Sequence, residues 1–134
     1  MKFKLILAAC GLLAGVMPAH AQAGGLKVRV PFEFSVANKT LPAGKYVLWS
    51  VREQLFLREA GGKTVAMVSS NQVPRGGGKS GRVVFHCYET RCFLSQLWMP
   101  DASQSREVLE SKSEKEIARG GEPQLFALLG EPSR

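Results

Sequence analysis

The stretch from Val30 to Val51 constrains the fold more than any other part of the sequence. In Val30–Val36, apolar residues alternate with polar ones. Successive side chains of a β-strand point to opposite faces, so this alternation predicts a half-buried strand. The proline, alanine and glycine at positions 42–44 predict a turn, because proline sets φ and glycine accepts positive φ. Lys45–Val51 then resumes with apolar residues on both faces, which is typical of a central strand.

The same stretch contains a recognisable motif. Its residues are Pro31, Phe32, Glu33, Phe34, Val36, Asn38, Lys39, Leu41, Pro42, Ala43, Gly44 and Tyr46. They resemble the signature PF(D/E)FxVx(N/G)KxLPAGxY of a family of small uncharacterised bacterial exported proteins, in which it follows a signal peptide. A weaker similarity continues through residues 84–86, 93–98 and 113–118. The resemblance implies a small barrel-like β fold located in the cell envelope, and it implies no activity and no catalytic residue.

The N-terminal segment is typical of a signal peptide. Lys2 and Lys4 form a short basic region, and the apolar run Leu5–Met17 has the length that signal peptides use. The tripeptide at positions 19–21 matches the small-x-small pattern before a cleavage site. We therefore expect residues 1–21 to be removed by cleavage after Ala21, and residues 22–134 to form a single β domain with a charged C-terminal segment.

A second interpretation of the leader uses Cys10, because residues 7–10 resemble a lipobox. Cleavage before Cys10 would produce a lipoprotein. The apolar run of the leader is too short for a membrane span, and no later stretch is long enough. We expect a periplasmic or secreted protein that is not transmembrane after cleavage.

Two cysteines remain after the leader, Cys87 and Cys92. An even pair in an exported chain predicts a disulfide, since disulfides persist in oxidising compartments. The spacing fits a hairpin in which Val83–Cys87 and Cys92–Trp98 are the two strands. A redox-active dithiol is disfavoured, because the pair lacks Cys-x-x-Cys spacing.

Shorter alternating runs complete the predicted fold. Leu26–Val30, Gln54–Arg58 and Thr64–Ser69 read as strands, and Asn71–Gly81 reads as a loop without apolar periodicity. We predict an all-β domain, a small antiparallel β-barrel or sandwich of about six to eight strands with a short C-terminal helix.

The helix is predicted at Ser113–Arg119, with Ser113 as the N-cap and Glu116 completing a capping box. The apolar segment Leu125–Leu129 follows. It is expected either to dock as a last strand or helical turn, or to remain available for a partner.

The chain is basic, with a formal net charge of +7, and it stays basic without its leader. The densest local group of positive charge is Arg75, Lys79 and Arg82, which we predict as an anion-binding loop for a lipid or glycan. Gly78-Lys79-Ser80 is not a phosphate loop, because position 73 is Val73 rather than the required glycine. Export argues against a nucleic acid partner.

Aromatic residues offer one further candidate site. Tyr46, Trp49 and Trp98 could stack on a ligand, although core packing is the simpler interpretation of such side chains.

Catalytic residues are not indicated. His86 is the one histidine after the leader, Cys87 and Cys92 are expected to be paired, and the carboxylates Glu33 and Asp101 are isolated in the sequence. We therefore predict no catalytic residue, no metal site and no cofactor.

Two functional hypotheses follow from the sequence. The first is a non-enzymatic envelope module, structural or protein-binding, whose partner is an unknown envelope protein. The second is a barrel that binds a small ligand, a lipid or an anionic glycan.

Overall fold

The computed structural model describes residues 24–74, 80–100, 102 and 104–133. Several predictions fall outside these residues: the signal peptide with its cleavage site after Ala21, the lipobox at Cys10, and the loop cations Arg75 and Lys79. Among the described residues, no helix has the length and apolar character needed to cross a membrane.

The described residues form eleven strands and one short helix, which confirms the predicted all-β class with a short C-terminal helix. The strands are β1 Gly25–Val30, β2 Phe34–Val36, β3 Lys39–Leu41, β4 Gly44–Val51, β5 Gln54–Glu59, β6 Thr64–Pro74, β7 Arg82–Cys87, β8 Cys92–Trp98, β9 Gln104–Val108, β10 Gln124–Leu129 and β11 Glu131–Ser133. The helix is α1, Lys112–Ala118.

All strands belong to one folded sheet whose main path runs β10-β7-β8-β9-β6-β5-β4-β1-β11. The long strand β6 joins the two layers of this sandwich, because its first half pairs with β5 and its second half with β9. The ladder does not close, but β10 and β11 at its two ends are separated in sequence by Gly130 alone. The sheet is mixed, because β2 pairs in parallel with β8.

An apolar core lies between the layers. Phe34 is buried at its centre and makes edge-to-face contacts with Tyr46 and Phe85, at ring-centroid distances of 5.3 and 5.4 Å. Such contacts suit the charge distribution of aromatic rings. The buried phenol of Tyr46 donates a hydrogen bond to the carbonyl of Pro42, at 2.6 Å. The motif residues predicted to organise the chain therefore supply much of its core.

Three boundaries differ from the predictions. Val30–Val36 is not one strand, since β1 ends at Val30 and β2 begins at Phe34. Pro31 cannot donate to a ladder, and the chain changes partners here, from β4 and β11 to β3 and β8. The predicted loop at Asn71 begins later, because β6 continues to Pro74 beside β9.

The third difference concerns the helix cap, which is Ser111 rather than Ser113. The Ser111 hydroxyl accepts a hydrogen bond from the backbone N–H of Glu114, at 3.1 Å. Both serines precede a glutamate by three positions, so local sequence does not choose between them. Burial of Glu114 against the sheet favours the earlier start.

Gly130 allows the C-terminal segment to pass from one end of the sheet to the other. A Cβ at this position would lie 2.7 Å from Leu26 Cγ and 2.8 Å from the carbonyl oxygen of Lys27. Leu26 is fully buried, and the Gly130 N–H donates to the carbonyl of Gly81 at 3.1 Å. The buried Leu26 side chain and the paired backbone therefore leave little room for a side chain at position 130.

We expect Gly130→Ala to lower the free energy of unfolding by about 1–3 kcal/mol, because the added methyl group overpacks a buried site. Denaturant unfolding followed by tryptophan fluorescence measures the change. Gly44→Ala is the matched control, since its Cβ would have an ordinary contact of 3.7 Å with the Tyr46 ring. Equal effects of the two substitutions would contradict this account of Gly130.

The predicted disulfide is confirmed. Cys87 and Cys92 are bonded and lie opposite each other in the β7–β8 hairpin. The closed loop is short, with a sequence separation of 5.

Because a short loop restricts the unfolded chain only modestly, we expect the double substitution Cys87→Ser and Cys92→Ser to cost about 2 kcal/mol of unfolding free energy. Denaturant unfolding of this variant, compared with the reduced and oxidised wild-type chain, checks the value. Reduction of the double variant should change nothing, and a further loss on reduction would contradict the assignment.

Candidate functional site

A polar network lies on the outer side of β7 and β8, where Glu114 of α1 meets the sheet. The imidazole of His86 is its centre. His86 Nδ1 is 3.2 Å from Glu114 Oε2, and His86 Nε2 is 3.1 Å from Ser95 Oγ. Tyr88 donates a hydrogen bond from its hydroxyl to the same Glu114 oxygen, at 2.9 Å. The network links the helix to both strands of the stapled hairpin.

A β-bulge in β8 brings Ser95 into this network. The pairing of β7 with β8 shifts register, so that Phe85 faces Leu94 and Val84 faces Gln96. Ser95 is thus the extra residue, and Leu94 can remain in the core although strict alternation would turn it outward. The bulge thereby places a hydroxyl beside His86 at no loss of core packing.

Glu114 is a buried carboxylate, with 4% of its surface exposed. The Ser111 cap starts α1 so that this side chain meets the sheet, and its place in the first helical turn suits the positive end of the helix dipole. Both of its side-chain hydrogen bonds end on Oε2. Within the described residues, no lysine or arginine forms an ion pair with it, and His86 is its one basic neighbour.

The environment of Tyr88 within this network changes its pKa. Burial, the hydrogen bond to Glu114, and the negative charges of Glu114 and Glu110 raise the pKa of Tyr88 to about 12, above its ordinary value of 10.0. Its ring also packs edge-to-face on Phe93, with centroids 5.9 Å apart. Burial, with a smaller contribution from the charge of Glu59, also raises the pKa of Tyr46.

A pocket of about 300 Å³ opens beside the network. His86, Ser95 and Glu114 line one part of it, and Glu110 joins them from the segment before α1. One potential ligand atom each from His86, Glu110 and Glu114 can be chosen so that all three lie within 4.8 Å of one another. The sequence predicted no metal site, and the structure brings three potential metal ligands close together here.

The order of hydroxyl, imidazole and carboxylate is that of a hydrolytic triad. Acyl transfer also requires a substrate carbonyl to reach the nucleophile and donors to stabilise the oxyanion. Ser95 is 5% exposed and lies within a strand, so its hydroxyl is poorly placed for such an approach. A triad would also leave the neighbouring carboxylate of Glu110 without a role. The arrangement is better suited to hold an imidazole in one orientation.

The predicted stacking aromatics are not brought together. Tyr46 lies in the core. Trp49 is half-buried and stacks on Phe56, with ring centroids 5.3 Å apart. Trp98 lies near the far end of β8, where the guanidinium of Arg82 covers its ring at 4.5 Å. Arg82 thus contacts an aromatic ring, while its predicted companions Arg75 and Lys79 lie outside the described residues.

A second candidate surface is the strand β10, which shows that Leu125–Leu129 docks as a strand, although the short β11 and not β10 is the last strand. It pairs antiparallel with β7 and occupies one end of the strand order. Leu125 and Leu129 are 66% and 71% exposed, and Phe126 is 44% exposed. The side chains of a docked strand are usually more covered than this, so β10 presents apolar surface to the surroundings.

Ser95, Tyr88, Glu110 and Glu114 are site residues that the sequence did not predict. The sequence holds one weak signal for Glu114, the spacing Ser111-x-x-Glu114 of a second capping box. For His86 the sequence offers no neighbouring catalytic or ligating residue, since it is the one histidine after the leader.

No protein-family model, no curated protein and no solved structure matches the chain. The resemblance to exported β proteins therefore stays a prediction, and the functional argument depends on the geometry alone.

We expect one tyrosine of the folded chain to ionise near pH 12 in an absorbance titration, and this tyrosine to be Tyr88. Because its pKa is raised in the folded state, Tyr88 supports stability fully below pH 10 and loses that contribution as the pH rises through about 12. Glu114→Gln should lower the pKa of Tyr88.

Tyr46→Phe is the control, because it removes the other tyrosine and leaves the network intact. A Tyr88 titration that is unchanged by Glu114→Gln would contradict the proposed cause.

Proposed function

We propose that this chain is an exported, non-enzymatic β domain that binds an envelope protein by adding a strand of that partner to the free edge of β10. The observation that carries the proposal is the exposure of Leu125 and Leu129 on a strand with a ladder partner on one side. Export is supported by the signal-peptide pattern and by the Cys87–Cys92 disulfide.

The edge of β10 lacks the usual protection against strand addition. Natural sheets block their edges with charges, prolines or bulges. Gln124–Leu129 contains no charged residue and no proline, and its pairing with β7 is regular over all six positions. An unprotected apolar edge strand of this kind suits strand addition, in which an extended segment of a partner pairs with the edge of a sheet.

The charges on either side of β10 indicate which charges a partner strand should carry. Glu122 and Glu131 stand on either side of β10 and both are exposed, and Glu131 also lies opposite Lys27 in the β1–β11 ladder. In a full antiparallel pairing of two copies, residue 124 would face residue 129, which would place Glu122 opposite Glu131 twice. Like charges facing each other destabilise a strand pair. The favoured occupant is therefore a different chain, with an apolar strand flanked by lysine or arginine.

The ligand-binding hypothesis has less support. Of its predicted aromatic residues, Tyr46 is committed to the core, while Trp49 and Trp98 lie on different strands with separate neighbours.

Two synthetic peptides test the proposal, both with an apolar strand-forming middle, one flanked by lysine and the other by glutamate. We expect the wild-type chain to prefer the lysine peptide, and the double variant Glu122→Lys and Glu131→Lys to reverse the preference. A change of about tenfold in Kd is expected, since each exposed charge contributes up to about 1 kcal/mol. Isothermal titration calorimetry measures both affinities.

The matched control is the double variant Glu53→Lys and Glu107→Lys, which changes the net charge equally at two exposed positions that lie on no neighbour of β10 in the sheet. It should keep the wild-type preference. Binding of neither peptide, equal binding of both, or concentration-dependent self-association in sedimentation velocity would each overturn the proposed partner.

A further inference from the structure

We propose that His86, Glu110 and Glu114 form a binding site for a divalent transition metal ion, with Zn²⁺ as the best-fitting candidate. Zinc takes imidazole and carboxylate ligands, and three protein ligands leave a further position open to water or to another molecule. The set is independent of the proposed strand-binding function and uses no residue of β10.

The spacing of the first two ligands already matches coordination to one ion. His86 Nδ1 and Glu114 Oε2 are 3.2 Å apart. Two ligands that each lie about 2.0–2.2 Å from a tetrahedral zinc ion are separated by little more than this distance. The third side chain, Glu110, is exposed and precedes the helix cap, so its carboxylate can approach by rotation about its side-chain bonds.

The imidazole is held in a suitable orientation. A metal ion would select the tautomer that carries its proton on Nε2, in which Nε2–H donates to Ser95 Oγ and the lone pair of Nδ1, the nitrogen beside Glu114, binds the ion. Histidine ligands of metal ions commonly donate their second N–H to such a partner. Tyr88 in the same way orients the carboxylate of Glu114 through the hydrogen bond to Oε2. The β8 bulge places the Ser95 hydroxyl beside His86 and so contributes to the site.

The buried carboxylate supplies an independent reason for a cation here. Glu114 is 4% exposed, and no lysine or arginine of the described residues pairs with it. A buried carboxylate is costly unless it is paired, and His86 is the one basic side chain beside it among the described residues. A metal ion would neutralise Glu114 and Glu110 together, and the pocket of about 300 Å³ leaves room for the remaining ligands.

Cysteine ligation does not compete at this site. Cys87 and Cys92 are consumed by the disulfide, so the donor set is nitrogen and oxygen. A site of this composition should give a Co²⁺ complex whose spectrum lacks thiolate charge-transfer bands.

The test uses the tag-free, full-length exported chain after treatment with a chelator, titrated with ZnCl₂ by isothermal calorimetry and with CoCl₂ by absorbance. We expect one bound ion per chain and an increase of the thermal midpoint with Zn²⁺. Glu110→Gln should weaken binding at least about tenfold, since it removes a direct ligand from an exposed position.

Glu107→Gln is the matched control, because Glu107 lines the same pocket, is exposed and lies outside the ligand set. It should leave the affinity within about twofold of the wild type. Absence of saturable Zn²⁺ binding, equal losses in the two variants, or thiolate bands in the Co²⁺ spectrum would overturn the proposal.

Discussion

The packing of Leu26 against two glycines holds the two ends of the sheet together. Leu26 is fully buried, and the positions that a Cβ would occupy at Gly81 and Gly130 lie 2.5 and 2.7 Å from its side chain. The two backbones can approach because neither residue has a side chain. Through this contact the C-terminal segment reaches both β7 and β1, so the layers are joined there as well as through β6.

Features of the fold that depend on local geometry could be predicted from the sequence, and features that depend on strand pairing could not. Alternation in β5 and the spacing of Cys87 and Cys92 report local geometry, so the strand and the stapled hairpin were predictable. The exchange of partners at Pro31 and the extension of β6 to Pro74 depend on which strands lie alongside. A strand such as Ser70–Pro74, paired with β9 by its backbone, has little apolar periodicity to reveal it.

The candidate site was still less accessible to sequence reasoning. His86 and Glu114 are 28 residues apart in the sequence, and their contact depends on where the chain places α1 beside β7. Ser95 would belong to the core face by strict alternation from Leu97, and the bulge alone turns it toward His86. A single histidine without neighbouring ligands in sequence carries little information, so the three-residue set becomes visible when the hairpin and the helix are placed together.

The two candidate surfaces share the strand β7, and this sharing has a physical consequence. Leu125 on β10 pairs with His86, the centre of the polar network, on the outer side of the same sheet. A strand added to β10 would stiffen the β10–β7 ladder, and an ion at His86 would fix the imidazole and the helix above it. If occupation of one surface changes the affinity of the other, linkage requires the change to be equal in both directions. The ladder between β7 and β10 is the shortest physical route for such coupling, because the residues concerned are direct neighbours across it.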